Sequence, residues 1–85
     1  MTQADKDGNT RLHWSVVAGD LKYIRSLIKE GDQIDSLNKL GQTPLHLAYK
    51  RSQIEVATLL INLGADQTIR DMDGKLPSEY FEGAL

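Results

Sequence analysis

The stretch Gly41-Gln42-Thr43-Pro44-Leu45-His46-Leu47-Ala48 decides how the rest of the chain is read. Glycine sits where a tight turn needs positive φ. Threonine then stands where a helix N-cap belongs, since its hydroxyl can accept from a free amide of the first turn. Proline follows at the first helical position, where a missing N–H costs nothing. Reading outward, Gly8, Gly41 and Gly74 are each 33 residues apart. At the same offset Thr10 matches Thr43, Leu12-His13 matches Leu45-His46, Leu27-Ile28 matches Leu60-Ile61, Gly31 matches Gly64 and Lys6 matches Lys39. So many identities at one offset mark an internal repeat.

Each unit reads as turn, helix, helix, loop. Residues 5–9 and 38–42 are rich in Asp, Asn and Gly, the turn formers. A short helix is expected over 11–18 and again over 44–51, broken at Gly19-Asp20 and Ser52-Gln53. Ser52 with Glu55 has the spacing of a capping box for the next helix. Second helices are expected over about 21–30 and 54–62. Leu21, Ile24, Leu27 and Ile28 keep helical spacing in the first of these, and the copy is more apolar throughout. Gly31 and Gly64 suit helix C-termini.

"GQTPLHLA" at 41–48 followed by "LLINLGAD" at 59–66 resembles the ankyrin repeat. The resemblance covers essentially the whole chain. It implies an all-α solenoid of helix pairs with β-turn fingers projecting at one edge, as a single domain. Unit one runs over about 5–37, unit two over about 38–70, and a partial or capping unit over 71–85. The units depart from the family pattern at the two ends. Arg11 replaces proline and Ser15 replaces alanine in the first; Leu76, Ser78, Glu79 and Phe81 replace threonine, leucine, histidine and alanine in the third. Polar residues at stacking positions suit a terminal cap. The polar opening from Met1 reads as a natural start and the short third unit as a half-repeat cap. The alternative is a piece of a longer array.

The resemblance implies protein recognition by the turn tips and the concave inner-helix face. The implied contact positions are Lys6, Asp7 and Asn9, then Lys39, Leu40 and Gln42, then Met72, Asp73 and Lys75 at the tips. Val17, Ala18, Lys50 and Arg51 occupy the ends of the inner helices. Leu40 and Met72 stand out as large apolar side chains at exposed tips, against a background in which scattered surface hydrophobes are common. Trp14 takes the place of Leu47, on a side that normally packs against a preceding unit. With no predecessor, its indole is expected to be partly exposed, unless residues 1–4 fold over it or it turns inward. Tryptophan is favoured among interface hot spots. Lys50 and Arg51, with Lys39, offer a small basic patch for an acidic partner segment; the plainer reading is cations at a helix C-terminus. Lys22, Arg25 and Lys29 read as a solvated outer stripe.

Composition narrows the function classes. Ten basic against twelve acidic residues give a net charge of −2, with no long-range attraction for nucleic acid or anionic membranes. Without cysteine, neither a disulfide framework nor a thiolate metal site exists, in keeping with an intracellular, cytoplasmic setting. No apolar run approaches the roughly 20 residues that cross a bilayer. His13 and His46 occupy matching motifs, and the resemblance implies a structural role for both. No nucleophile elbow, phosphate loop or calcium loop occurs. The expected function is therefore a protein-binding adaptor or inhibitor, with no enzyme activity, cofactor or metal. The rival readings are a scaffolding segment of a longer array and a regulatory module of an enzyme. Two and a half repeats lie near the lower limit for a stable stack, so self-association or a partner is expected to add stability.

Overall fold

A polar side chain at the head of each turn starts each unit. In the computed structural model, described here for residues 5–81, Asp5 Oδ1 accepts from the amides of Asp7 and Asn9 at 2.9 Å each. Asn38 Oδ1 does the same for Leu40 and Gln42, and Asp71 Oδ1 for Asp73 and Lys75. This closes a finger whose backbone reverses at a glycine. At Gly8 the φ is 78°, and a Cβ there would sit 2.7 Å from Lys39 N. The Lys39 amide donates to Asp7 O, and the Met72 amide donates to Leu40 O, both at 3.0 Å. Each finger thus leans on the next, and only glycine lets them approach.

Helices α1 (Arg11–Ala18) and α2 (Leu21–Lys29) follow the first finger. Helices α3 (Pro44–Lys50) and α4 (Ile54–Asn62) follow the second, and a single 3-10 turn (Pro77–Tyr80) follows the third. Thr10 and Thr43 cap α1 and α3 as expected: each hydroxyl accepts from the amide of the histidine three residues on, and that histidine's Nδ1 accepts from the threonine amide. The Ser52–Glu55 capping box does not form. Ser52 instead adopts φ 57°, while Gln53 is the N-cap and makes no side-chain cap bond. The reason lies in the repeat itself: Ser52 occupies the place of Gly19, the left-handed C-cap of α1 at φ 71°. Ser52 ends α3 before it can start α4.

The inner helices α1 and α3 pack on each other, each pairs with its own outer helix, and α3 is covered on its far side by the 3-10 turn. Leu12, Val16, Ile24, Leu27, Leu45, Val56 and Leu60 form the buried centre. The result is an elongated stack, 38 × 25 × 20 Å. No helix among the described residues is long and apolar enough to cross a membrane. Lys22, Arg25 and Lys29 are exposed on α2, in agreement with a solvated stripe.

The two histidines pin one unit to the next. His13 Nε2 lies 2.8 Å from Gln42 O, and His46 Nε2 lies 2.9 Å from Lys75 O. Because Nδ1 accepts from a backbone amide in both, Nε2 carries the proton and donates. Burial pushes His13 below the usual histidine range, against the opposing pull of the Gln42 carbonyl. It is held neutral, as this bonding pattern requires. Both ring nitrogens of each histidine are thereby occupied, and among the described residues no group of three or more His, Asp or Glu is placed to hold a metal.

The ends use other devices. Arg11, in the place of Pro44, makes a two-pronged pair with Asp32: Nε to Oδ2 at 2.9 Å and a terminal nitrogen to Oδ1 at 2.7 Å. The guanidinium holds Asp32 below the usual carboxylate range. In the third unit, Glu79 stands where the other two have histidine. Its Oε1 accepts from the Leu76 amide at 3.0 Å, keeping half of the box. Tyr80 completes the cap. Its ring meets His46 edge-on at 6.0 Å, and its hydroxyl donates to Asp71. Burial alone would raise Asp71, but the Tyr80 hydroxyl and the Lys75 and Asp73 amides outweigh it and hold the carboxylate low. The Tyr80 phenol is correspondingly pushed up to about 12 by Asp71.

Candidate protein-binding groove

At 100° per residue, the buried residues of α1 (Leu12, His13, Ser15, Val16) fall on one arc of the helix. Trp14, Val17 and Ala18 fall on the opposite arc, where Trp14 and Ala18 are exposed and Val17 is partly buried against the edge of the core. Trp14 is 53% exposed. Its indole is not free to swing, because Nε1–H donates to Asp5 Oδ2 at 2.9 Å. Finger one therefore holds the ring of helix one.

As its place in the first unit implied, the indole is partly exposed. It lies in a groove of about 760 Å³ that crosses from the first unit to the second. One wall is the fingers, with Asp7, Lys39 and Leu40. The floor is the inner helices, with Trp14, Val17 and Leu47, and the far wall is the end of α3, with Lys50 and Arg51. Leu47, the partner position of Trp14, is only 9% exposed, because α3 has neighbours on both sides. The expectation that residues 1–4 cover the indole lies outside the described residues.

Of the contact positions implied by the sequence, Asp7, Asn9, Trp14, Val17, Lys39, Leu40, Lys50 and Arg51 meet in this one groove. Leu40 is 56% exposed at its tip. Gln42 is a correction: it borders the groove, yet it is 4% exposed and not a tip residue. Its Oε1 accepts from Asn38 Nδ2, its amide donates to Asn38 Oδ1, and its carbonyl accepts from His13. It is the joint between the first two units. The remaining positions do not join the groove. Ala18 is exposed beside it, and Met72, Asp73 and Lys75 are exposed on the third finger. Among the described residues Met72 is the most open of the large apolar side chains, at 75%.

The turn heads Asp5, Asn38 and Asp71 were not singled out from the sequence, although they recur at the 33-residue offset. That spacing, with a carboxylate or amide each time, was the available signal. Gln53 was also missed. It lines the groove, and its Nε2 donates to Val17 O at 3.3 Å, fixing the end of α1 to the start of α4.

Comparison with known proteins agrees with this architecture. The sequence profile for ankyrin repeats (3 copies) matches residues 1–71. Protein phosphatase 1 regulatory subunit 27 of Homo sapiens is 37% identical over 75 residues, which is 88% of this chain and 49% of that protein. NF-kappa-B inhibitor alpha of Gallus gallus is 37% identical over 79 residues, 88% of this chain and 25% of that protein. Palmitoyltransferase ZDHHC13 of Homo sapiens is 34% identical over 73 residues, 85% of this chain and 12% of that protein. The chain thus spans about half the length of the first of these relatives and less of the others. With two capped helix pairs, interlocked fingers and a matching profile over most of its length, the chain belongs to the ankyrin-repeat family.

Proposed function

We propose that the chain is a non-catalytic protein-binding module, an adaptor or inhibitor that covers a partner surface with its concave groove. The observation that carries this reading is the convergence of Trp14 and Leu40, both more than half exposed, on one concavity walled by rigid fingers. A large, oriented aromatic side chain with apolar and cationic neighbours has the makings of an interface anchor. Ankyrin repeats generally serve protein–protein interaction, and two of the relatives carry regulatory or inhibitory names. The third finger, with Met72, Asp73 and Lys75, extends the same edge, and Ala18 widens the contact beside Trp14.

The wild-type chain and a Trp14→Ala/Leu40→Ala variant, both immobilised, test this. A protein retained by the first and lost by the second supports the groove as the contact surface. Identical retained sets, with the variant folded by circular dichroism, overturn it.

The relatives' greater length favours a second reading, in which these units form a stretch of a larger array or regulate an enzyme domain. Self-association belongs to the same proposal as a source of stability for a short stack. A thermal midpoint that rises with protein concentration supports it. A constant midpoint with a monomeric mass throughout removes it.

A further inference from the structure

The charge of the groove runs against the charge of the chain. The whole sequence holds ten basic and twelve acidic residues. The groove lining holds three cations, Lys39, Lys50 and Arg51, and one carboxylate, Asp7. Ion pairs among the described residues join Arg11 to Glu30 and Asp32, and Arg70 to Glu79; none involves the three groove cations. Lys50 is not slack, since its ammonium rests 5.5 Å from the centre of the Tyr80 ring. Lys75, on the third finger, lies 5.2 Å from the centre of the same ring, so positive charge continues beyond the groove along the third unit. Asp71 and Asp73 lie on that finger too, but Asp71 is buried and committed to Tyr80 and to backbone amides.

From this we infer that the groove takes a short acidic protein segment carrying one large apolar side chain. The apolar group packs on the Trp14 indole and against Leu40. Flanking carboxylates reach Lys39 on the finger wall and Lys50 and Arg51 at the end of α3. The inference rests on the protein-binding reading above and gives it a partner chemistry. Polyanions of other kinds fit less well. A nucleic acid or an anionic bilayer meets a chain of net negative charge, which offers only three cations in the groove. A peptide brings both the carboxylates and the apolar anchor, and only locally.

A displayed library of random dodecapeptides, selected on the full chain, provides the test. Enriched sequences are then titrated in solution through the fluorescence of Trp14, the one tryptophan in the chain. The expected result is enrichment of acidic sequences with a central aromatic or large aliphatic residue. Their binding shifts the Trp14 emission, weakens roughly tenfold or more in Lys39→Glu/Arg51→Glu, and weakens as salt is raised above about 0.1 M and the screening length falls below roughly 10 Å. That variant leaves the Lys50–Tyr80 contact alone, and its thermal midpoint verifies folding. Neutral or basic peptides that still need Trp14 and Leu40 overturn the acidic partner while the groove reading stands. Peptides indifferent to Trp14→Ala/Leu40→Ala, or no enrichment at all, overturn both. Equal or tighter binding of polyuridylate or of phosphatidylserine vesicles, at the same cations, replaces the peptide with that polyanion.

Discussion

Helices α1 and α3 begin with the same box and end up doing different work. Thr10 and His13 in one, and Thr43 and His46 in the other, make the same three bonds within 0.1 Å. Four residues into each helix they diverge: Leu47 is buried, Trp14 is half open. The boxes agree because each must satisfy the same unpaired amides at a helix start and the same carbonyl on the next finger. The divergence comes from neighbours. Helix α3 is covered on both sides, by α1 and by the 3-10 turn, while α1 meets one inner neighbour among the described residues. The framework is therefore common to both units, and the position that differs is the one left exposed.

The largest test of this contrast is removal of the shared part. His13→Ala or His46→Ala strands a backbone amide and a carbonyl, one of them buried and the other part-buried at each site, and leaves a cavity. Each is expected to cost about 3 kcal/mol in urea unfolding, a large share of what so small a fold holds. A loss under about 1 kcal/mol at either site breaks the claim that the boxes are equivalent. The divergent position comes next. Leu47→Ala is expected to cost about 2–3 kcal/mol, and Trp14→Ala less than about 1 kcal/mol, because half of the indole surface is already wet. Equal costs at the two positions make Trp14 a core residue and remove it from the groove reading.

Acid sharpens the comparison further. His13 is held below the histidine range in the folded state, so the unfolded chain binds its proton first. Its contribution is intact above the unfolded value near 6.5 and is lost as pH falls below it. Asp71 is also held low, which for a carboxylate means stability present above the unfolded value and lost as pH falls through the folded one. Both losses point the same way. Midpoint temperature is expected to drop from about pH 6.5 downward in two stages. His13→Gln, compared with its own value at neutral pH, flattens the upper stage. A wild-type midpoint that holds or rises between pH 6.5 and 5 contradicts the neutral histidine.

The C-caps give a smaller, signed effect. Gly19 and Ser52 share the left-handed region, where a side chain costs about 1 kcal/mol. Ser52→Gly is expected to stabilise by about 0.5–1 kcal/mol, and Gly19→Ser to destabilise by about 1 kcal/mol, where its Cβ also meets the Gln53 amide at 3.1 Å. Equal signs for the two swaps refute the assignment of Ser52 as a helix stop. Smallest is Arg11→Pro, which gives α1 the start of α3. The gain of a preset helical φ offsets most of the loss of an ion pair whose arginine is partly exposed and whose carboxylate is largely covered, leaving a net cost of about 0.5 kcal/mol.

Much of the fold was legible because a repeat states its rules twice. The threonine N-caps, Pro44, the finger glycines and α1 and α4 were all readable from the sequence and its 33-residue offset. Ser52 was misread because a local capping-box pattern competed with the repeat position, and the repeat position prevailed. Gln42 was misread because a finger residue was taken for exposed, when the carbonyl that His13 needs had to be brought inside. Asp5, Asn38 and Asp71 were overlooked because a turn head looks like any polar loop residue until its two amide bonds are seen.

The sequence by itself determined the units: where helices start, which faces are apolar, and that no acid or base is set apart for catalysis by a recognisable motif. These follow from bonds and spacings within one unit, which a linear pattern carries. The tertiary structure decided what lies between units. It placed Trp14 in a groove shared by two units, gathered Lys39, Lys50 and Arg51 on one concavity, and hid Gln42 as a joint. Those outcomes depend on which side of each helix a neighbour covers, and cover is a property of the stack that no single unit encodes.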